Sequence, residues 1–437
     1  MNIDTLVNAR WIIPVVPDNQ ILEYHSLAIQ SGRILELLPT DIAKEKYTPQ
    51  SEQDLPGHAL IPGLINAHTH SPMSLLRGLA DDLPLMTWLN DHIWPAEGRW
   101  VSEEFVADGT HLAVAEMLRG GITCFNDMYF FPEVTARVSA AAGMRAVIGL
   151  IVIDFPSAWA ADSDAYLRQG LEVQDQYRNH ALISTAFAPH APYSVSDEPL
   201  ERIRTLANEL EIPIHMHVHE TRDEIQQGLQ QSGERPLQRL QKLGLVSPSL
   251  TAVHMTQLEE DEILAFAKSG ASLVHCPQSN LKLASGFCPV HKLMEAGINV
   301  AIGTDSAASN NGLDMFSETK TAALLAKGVA QDASVIPAAT ALRMATLNGA
   351  IALGIADDTG SLEPGKSADI TAINLDHVDT QPVYNPVSQL IYATGRDKVS
   401  DVWVAGRQVV QGGELTTVNH LEIMQRAREW GNKIETG

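Results

Sequence analysis

The sequence predicts an α/β fold, in which a (β/α)8 TIM-type barrel carries a small β-sandwich domain formed from both chain ends. Eight apolar, strand-like runs alternate with amphipathic, helix-like stretches between about residues 61 and 355. Near-continuous apolar strands that alternate with helices are typical of a parallel barrel. Short β-like runs occupy both ends of the chain, which favours a separate β-rich domain. No Gly-rich phosphate loop follows the first strand, as a doubly wound open sheet would usually require.

The eight candidate barrel strands share an apolar composition and a short length. They are Leu60–Ala67, Ile122–Asp127, Ala146–Ile153, Leu182–Ala188, Pro213–Val218, Leu250–His254, Ala271–His275 and Asn299–Thr304. The predicted helices between them include Glu103–Arg119, Glu198–Leu210, Glu259–Lys268 and Pro289–Ala296. We therefore assign residues 61–361 to the barrel, and residues 1–60 together with 362–437 to the small β-sandwich domain.

Composition restricts the partners and the compartment that we expect. The 437 residues are 45% hydrophobic, which is enough for one large core and a smaller domain. The net charge of -23 repels nucleic-acid backbones and anionic membranes, so we expect neither as a partner. The three cysteines form no CxxC pair or disulfide framework, no apolar run could span a bilayer, and the N-terminus lacks a signal-peptide pattern. These features predict a cytoplasmic protein.

Histidines and an aspartate follow the candidate barrel strands where those strands end. They are His68 and His70 after strand one, His190 after strand four, His215, His217 and His219 along strand five, His254 after strand six, His275 after strand seven, and Asp305 after strand eight. Catalytic side chains of barrel enzymes lie at the C-terminal ends of the strands. We therefore expect these groups to surround one site at the mouth of the barrel.

The pattern at strands one and eight predicts a zinc site. His68 and His70 are two residues apart, so their side chains point to one face of a strand and can reach one ion. Imidazole nitrogen and carboxylate oxygen suit zinc, and Asp305 could both bind the metal and take a proton from an attacking water. An isolated His-x-His would equally fit two surface histidines. No lysine ends strand four, and a bridging modified lysine there would be needed for two metals, so one metal is favoured.

Strand five supplies candidates for a further ligand and for an acid. Alternation places His215, His217 and His219 on one face, and the pattern alone does not choose among them. Glu220 is expected near the metal-bound water, where a carboxyl group suits proton delivery to a substrate nitrogen. Its alternative interpretation is an acidic residue at the start of a helix over Glu220–Gln230. His254 could hold the water or a developing oxyanion, or could be a satisfied core histidine.

Longer motifs resemble those of a known superfamily over nearly the whole chain. They are Pro62–His70, His217–Glu220, His254, Gly303–Ser306 and the late stretch Gly360–Asp369, and they resemble the amidohydrolase superfamily. Within it, the chain resembles the 5-methylthioadenosine/S-adenosylhomocysteine deaminases and their chlorohydrolase relatives. The stretches that carry this narrower resemblance are Met73–Gly78, Trp88–Leu89, Trp94–Glu97, Ala188–Tyr193 and Ser309–Asn311.

The resemblance implies a role for each site residue. It implies one zinc ion per subunit, bound by His68, His70, His217 and Asp305. It also implies that Glu220 contacts the substrate and protonates its ring nitrogen, that His254 assists the water and that Asp305 accepts the water's proton. For the nucleoside, the implied residues are Glu97 at the ribose hydroxyls, and Trp88 and His190 along the pocket. Trp88 would equally fit core packing.

The expected reaction is hydrolytic deamination of the adenine ring of 5′-methylthioadenosine to the inosine derivative and ammonia, with S-adenosylhomocysteine and adenosine as further candidate substrates. Methylthioadenosine is favoured because Arg145 stands near a strand start, at the wrong barrel end to meet a charged homocysteine tail. The alternatives are a guanine or 8-oxoguanine deaminase or an s-triazine chlorohydrolase or deaminase on the same site. A cyclic amide hydrolase is a further alternative, as is an inactive barrel that serves as an interaction scaffold. Because barrels of this type often pair, we expect a homo-oligomer.

Overall fold

The computed structural model describes residues 1–436, and its strands form two eight-stranded sheets. The strands are β1 Asn2–Ile12, β2 Leu22–Gln30, β3 Arg33–Pro39, β4 Thr48–Pro62, β5 Leu64–Thr69, β6 Ile122–Tyr129, β7 Arg145–Val152, β8 Ile183–Pro189, β9 Ile214–Val218, β10 Leu250–His254, β11 Ser272–His275, β12 Asn299–Ile302, β13 Ile370–Asn374, β14 Val399–Val404, β15 Arg407–Gln411 and β16 Glu414–Leu415.

Helices surround one of these sheets and fill the connections. The α-helices are α1 Thr40–Lys46, α2 Leu85–Trp88, α3 Trp94–Trp100, α4 Glu103–Arg119, α5 Pro132–Ala142, α6 Ser163–Tyr177, α7 Asp197–Leu210, α8 Arg222–Ser232, α9 Pro236–Lys242, α10 Glu260–Ser269, α11 Pro277–Lys282, α12 Val290–Glu295, α13 Ala307–Asn310, α14 Met315–Ala330, α15 Ala338–Met344, α16 Leu347–Ala352, α17 Pro386–Tyr392 and α18 His420–Thr436. Two 3-10 helices, Ser71–Leu76 and Arg396–Lys398, and a π-helical turn, Leu89–Ile93, complete the set. Within residues 1–436, no helix has both the length and the apolar character needed to cross a membrane.

Strands β5 to β12 form the barrel. They stand in sequence order, and neighbouring strands run parallel. The amide of Asp305 donates a hydrogen bond to the carbonyl of His68 (3.0 Å), which links the end of β12 to β5. The predicted (β/α)8 barrel is therefore confirmed.

The other eight strands come from the two chain ends and form the second sheet. Its order is β16-β15-β14-β13-β4-β1-β2-β3, and β4 pairs parallel with β1 but antiparallel with β13. Buried side chains such as Trp403 and Ile370 pack with Leu60 to form its own apolar core. The prediction of a small β domain from both chain ends is confirmed, and its strands form one continuous hydrogen-bonded sheet. The boundaries at residues 60/61 and 361/362 stay a prediction.

The contacts that hold the β domain and the C-terminal helix against the barrel include a buried ion pair and an aromatic pair. Arg145, at the start of β7, is buried and forms an ion pair with Asp369 (2.9 Å). It therefore lies at the N-terminal end of the barrel strands, as the sequence indicated. Helix α18 packs on α4, where Trp430 meets the ring of Phe105 and donates to Asp108 (2.8 Å).

The run Leu60–Ala67, which the sequence analysis treated as one strand, is divided between the two sheets. Strand β4 ends at Pro62 in the small sheet, and β5 begins at Leu64 in the barrel. The chain changes sheet at Gly63, where a Cβ atom would overlap the side chain of Thr123. The prediction of a single strand was wrong because the apolar pattern continues unbroken through this crossing.

We expect Gly63→Ala to lower the free energy of unfolding by about 1–3 kcal/mol, since the added methyl group has no space beside Thr123. The matched control is Gly431→Ala in α18, where no atom lies within 4 Å of the added Cβ, and it should leave stability unchanged or slightly raised. Denaturant unfolding of both variants measures the difference. Equal stability of the two would contradict the proposed crossing.

Candidate metal centre and active site

Four predicted ligands converge at the C-terminal mouth of the barrel. The Nε2 atom of His68 lies 3.1 Å from Nε2 of His217 and 3.6 Å from Oδ1 of Asp305. His70 places its Nε2 atom 3.3 Å from the same Asp305 oxygen. These side chains come from β5, from β9 and from the loop after β12, so closure of the barrel assembles them. The donor atoms of His68, His70 and Asp305 lie within 4.8 Å of one another, and so do those of His68, His217 and His254, so His68 joins the two sets.

The second nitrogen of each of these histidines is held by a hydrogen bond. Nδ1 of His70 bonds to the Met128 carbonyl (2.5 Å), and Nδ1 of His217 bonds to the His190 carbonyl (2.8 Å). A carbonyl can only accept, so Nδ1 carries the proton and the Nε2 lone pair is free for a metal. Nδ1 of His68 lies 2.8 Å from Nε2 of His215 instead.

The carboxylate of Asp305 is fixed by serine hydroxyls and a backbone amide. Its Oδ2 atom accepts from Ser279 (2.6 Å) and Ser309 (3.0 Å), while Oδ1 accepts from the Ser306 amide (2.7 Å). The residue has a left-handed backbone with φ of 62°, a strained conformation that is common at functional sites. Ser279 was not predicted, and Ser309 was named only within the stretch Ser309–Asn311 without a role, because serines after a strand are too common to stand out.

Burial and mutual charge set the protonation of the cluster. Burial lowers the pKa of His68 to about 4 and the pKa of His217 well below its usual range. For His70, burial opposes protonation, but Asp305 outweighs it and raises the pKa to about 8. Burial also opposes ionisation of Asp305, yet the hydrogen bonds with His68 and His70 hold its pKa well below its usual range. The cluster thus contains one carboxylate and three imidazoles, and among these imidazoles only His70 has a raised pKa and binds a second proton.

This donor set fits a divalent cation of the zinc type. Zinc takes imidazole nitrogen and carboxylate oxygen, and its catalytic sites use few protein ligands so that one position stays open. The Nε2 atoms of His68 and His70 lie beside the charged oxygen of Asp305, and the Nε2 atom of His217 lies beside that of His68. Binding of an ion there would displace the proton from His70, because a ligating imidazole must be neutral.

Glu220 and His254 lie beside this cluster. Glu220 stands between β9 and α8, which begins at Arg222 after the N-cap Thr221. The predicted helix start at Glu220 was therefore wrong by two residues, and Glu220 lies outside the helix. Its Oε1 atom is 3.9 Å from Nε2 of His254, and burial raises the pKa of this carboxyl.

Two residues that sequence analysis missed hold these groups. Nδ1 of His254 bonds to Oδ1 of Asn280 (2.8 Å), which leaves Nε2 to face the cavity. The carboxyl group of Glu224 accepts from the backbone amides of His219 (2.9 Å) and Glu220 (2.7 Å). Asn280 is 26 residues from His254, so no local pattern shows that contact, whereas Glu224 is the third residue of α8, a capping position that Thr221 would predict.

The three histidines at and after the end of β9 have different surroundings, since His215 and His217 lie in the strand and His219 follows it. His217 places Nε2 beside Nε2 of His68, whereas His215 is deeper in the barrel, against Nδ1 of His68. The backbone of His219 is left-handed, with φ of 55°, and its Nε2 atom accepts from the Leu237 amide (3.1 Å). His275 of β11 is buried, and among the described residues its side chain makes no hydrogen bond or ion pair with the predicted ligands. The geometry therefore selects His217 for the cluster, a choice that alternation left open.

A cavity of about 650 Å³ opens onto the cluster. Its wall includes Glu220, His254 and Asp305, together with the predicted substrate residues Trp88, Glu97 and His190. Much of the remaining wall is apolar, and it includes Leu85, Ile93, Phe130, Ile153 and Phe155. No lysine or arginine of the described chain lines it.

Three of the four predicted substrate residues, Trp88, Glu97 and His190, are each oriented by a side-chain hydrogen bond. Glu97 accepts from the hydroxyl of Tyr129 (2.6 Å), and burial raises the pKa of Glu97 although this bond opposes the change. The Trp88 indole donates to the Ala80 carbonyl (3.1 Å), so its ring edge is fixed. His190 pairs with Ser194 (2.9 Å), and burial lowers its pKa to about 3.

Comparison with known proteins identifies the class to which this barrel and site belong. The model of the Amidohydrolase family matches residues 59–409, and the chain belongs to this family. A protein of Teredinibacter turnerae named 5-methylthioadenosine/S-adenosylhomocysteine deaminase is 52% identical, over 99% of this chain and 98% of its own length.

Solved structures of high similarity include two that contain zinc. An adenosine deaminase of Xanthomonas campestris with bound zinc superposes with a TM-score of 0.99 at 53% identity, covering 100% of this chain and 99% of its own. An atrazine chlorohydrolase of Arthrobacter aurescens, complexed with zinc, gives a TM-score of 0.91 at 23% identity, over 98% of this chain and 99% of its own. At that identity, the second comparison shows a shared fold alone.

Removal of a residue that is hydrogen-bonded to a metal ligand typically lowers metal affinity by about 10- to 100-fold, and removal of the ligand itself should cost more. We therefore expect His217→Ala to weaken zinc binding by at least about 100-fold. The exposed His377→Ala serves as the control and should bind zinc like the parent protein. Competition with a chromophoric chelator measures both affinities. Unchanged binding by the His217 variant would exclude this cluster as the metal site.

Proposed function

We propose that the chain is a zinc-dependent deaminase that hydrolyses the C6 amino group of 5′-methylthioadenosine, which yields the inosine derivative and ammonia. The observation that carries the proposal is a buried carboxyl, Glu220, that shares one cavity with the histidine and aspartate cluster. Relatives up to 52% identical over nearly the full length, and named 5-methylthioadenosine/S-adenosylhomocysteine deaminase, support the same reaction.

The proposed metal complement is one zinc ion per subunit. His68, His70, His217 and Asp305 would hold it, since the donor atom of His68 lies close to those of His70 and Asp305 and also to that of His217. When bound, such an ion supplies Lewis-acid chemistry and lowers the pKa of water from about 15.7 towards about 7. The bound zinc in the Xanthomonas adenosine deaminase supports the choice of metal.

Three side chains would transfer protons or accept hydrogen bonds during the reaction. Asp305 accepts a proton from the attacking water as its oxygen bonds to C6, and Glu220 gives its proton to the adjacent ring nitrogen N1. The raised pKa of Glu220, which is caused by burial, suits a group that must begin protonated. His254 accepts a hydrogen bond from the water through Nε2, because Nδ1 is engaged by Asn280.

The tetrahedral carbon then collapses to products. Asp305 returns its proton to the amino group, which leaves as ammonia when the C6–N bond breaks. The proton of the new hydroxyl passes to Glu220, so the ring carbon becomes a carbonyl and both carboxyl groups regain their starting states. One water is consumed and one ammonia is released, and the protons balance without an outside acid or base.

The nucleoside would lie against the residues along the cavity wall. We propose that Glu97 binds the ribose hydroxyls, since a carboxylate accepts two hydrogen bonds from a diol. Trp88 would cover an apolar face of the ligand, and His190 would line the pocket beside His217. A ribose contact favours a nucleoside over the free bases and triazines of the alternative reactions.

The absence of any cationic side chain along the described cavity wall favours methylthioadenosine over S-adenosylhomocysteine. The homocysteine tail carries a carboxylate, and a buried carboxylate without a partner is costly. Arg145, the cation that the sequence analysis considered, pairs with Asp369 instead. The neutral methylthio group suits the apolar wall that includes Ile153 and Phe155.

We also propose the cellular compartment, the partners and the oligomeric state of the enzyme. All three cysteines are buried and unpaired, which supports a reducing cytoplasm. The charge of -23 disfavours nucleic-acid partners. We also propose a homo-oligomer, because barrels of this type often pair, and the reaction product would feed purine salvage.

We expect Glu220→Gln to lower turnover by about 100- to 10,000-fold while the protein keeps its zinc, because glutamine has the same shape but no proton to give. Exposed Glu45→Gln in α1 is the matched control and should retain full activity. Ammonia release and metal content are measured on the same samples. Full activity of the Glu220 variant would reject its role as the acid.

A substrate panel tests the reaction itself. We expect ammonia from methylthioadenosine, with kcat/KM at least about ten-fold above that for S-adenosylhomocysteine. A ten-fold ratio corresponds to about 1.4 kcal/mol, and burial of the unpaired homocysteine carboxylate should cost at least that much. The panel also contains adenosine, guanine, 8-oxoguanine and a chlorinated triazine, and is followed by ammonia and chloride release. Faster turnover of guanine, 8-oxoguanine or the triazine would replace the proposed function with one of its alternatives.

A further inference from the structure

We propose that His215 is a positioning residue that selects the metal-binding tautomer of His68, an inference that rests on the proposed zinc site. The two rings are joined by a contact of 2.8 Å between Nδ1 of His68 and Nε2 of His215. His68 is one of the four proposed ligands, whereas His215 is too deep in the barrel to be one. The contact therefore allows this buried histidine, which is not itself a proposed ligand, to influence how His68 binds the metal.

The position of His215 follows from the geometry of β9. His215 and His217 are two residues apart, so both point into the barrel, with His217 at the level of the cluster and His215 one layer deeper. Both His68 and His215 are buried, with 0% and 1% of their surfaces exposed. Bulk water cannot compete for the hydrogen bond between the two rings, so its direction is set by the rings themselves.

The direction of this hydrogen bond decides whether His68 can bind a metal. When His68 carries its proton on Nδ1 and donates it to His215, its Nε2 lone pair is free to face His217 and Asp305. When His215 instead donates from Nε2, the neutral His68 must carry its proton on its own Nε2, and that nitrogen no longer binds a cation. The metal-binding state thus requires His215 to carry its proton on Nδ1.

His68 differs in this respect from the other two histidine ligands. Carbonyl oxygens hold the Nδ1 atoms of His70 and His217, and a carbonyl cannot donate. An imidazole can do either, so only at His68 does the tautomer depend on a side chain. The Nδ1 atom of His215 is buried and has no hydrogen-bond partner among the described residues. A partner side chain can be replaced by mutation, which makes this tautomer testable.

The test measures zinc affinity in variants that differ in the acceptor. In His215→Gln, the side-chain oxygen can reach the position of Nε2 and accept from His68, so we expect zinc affinity within about three-fold of the parent. His215→Met has the same length but only a weak acceptor, and we expect an affinity loss of about 10- to 100-fold. Chelator competition gives the dissociation constants, and circular dichroism of the zinc-free proteins checks folding.

The controls separate the acceptor from simple damage to the core. His275→Met removes another buried histidine, on β11, whose side chain is hydrogen-bonded to none of the proposed ligands among the described residues, and this variant should bind zinc within about three-fold of the parent. If His215→Met does not fold, His215→Asn replaces it, because its oxygen is too short to reach His68 and the same loss is expected. Parental affinity in the Met or Asn variant, or equal loss in the Gln variant, would overturn the proposal. Failure of the parent protein to bind zinc would instead reject the metal site.

Discussion

Closure of the barrel is the constraint on which the rest of the structure depends. The hydrogen bond from the Asp305 amide to the His68 carbonyl (3.0 Å) joins the last strand to the first. It places two ligand-bearing segments side by side, while His217 reaches the same point from β9, although it is 149 residues from His68 in the sequence. A site made in this way forms only when all eight strands are in register, so binding of a cation would also stabilise the closed barrel.

The electrostatics of the site follow from this closure. A buried carboxylate is costly unless its oxygens are hydrogen-bonded, and Asp305 receives those bonds from Ser279, Ser309 and the Ser306 amide. The surroundings of the acid in the proposed reaction, Glu220, are different from those of Asp305. Glu220 faces the cavity without a cation of its own, and burial raises its pKa. Two carboxyl groups of one cavity are therefore expected to start the reaction in opposite protonation states, as a hydrolytic deamination requires.

Features that repeat along the chain could be predicted from the sequence, and features made by tertiary contact could not. The barrel strands were visible because apolar runs recur at regular spacing, and the cluster was visible because His and Asp residues follow those runs. The split at Gly63 was missed, since the apolar pattern runs through it. The choice among the histidines of β9 was left open, because it depends on depth in the barrel. Asn280 was missed because it meets His254, 26 residues earlier, only through the fold, whereas Glu224 was missed because its bonds to the nearby amides of His219 and Glu220 depend on the shape of the turn before α8.

The account stands on the position of one cation among His68, His70, His217 and Asp305. The most direct measurement is an anomalous difference map from a crystal of the zinc-loaded protein, collected on both sides of the zinc absorption edge. The account predicts one strong peak per chain at about 2.0–2.2 Å from the three Nε2 atoms and the aspartate oxygen. A peak elsewhere, or no peak at that point in fully loaded crystals, would contradict it.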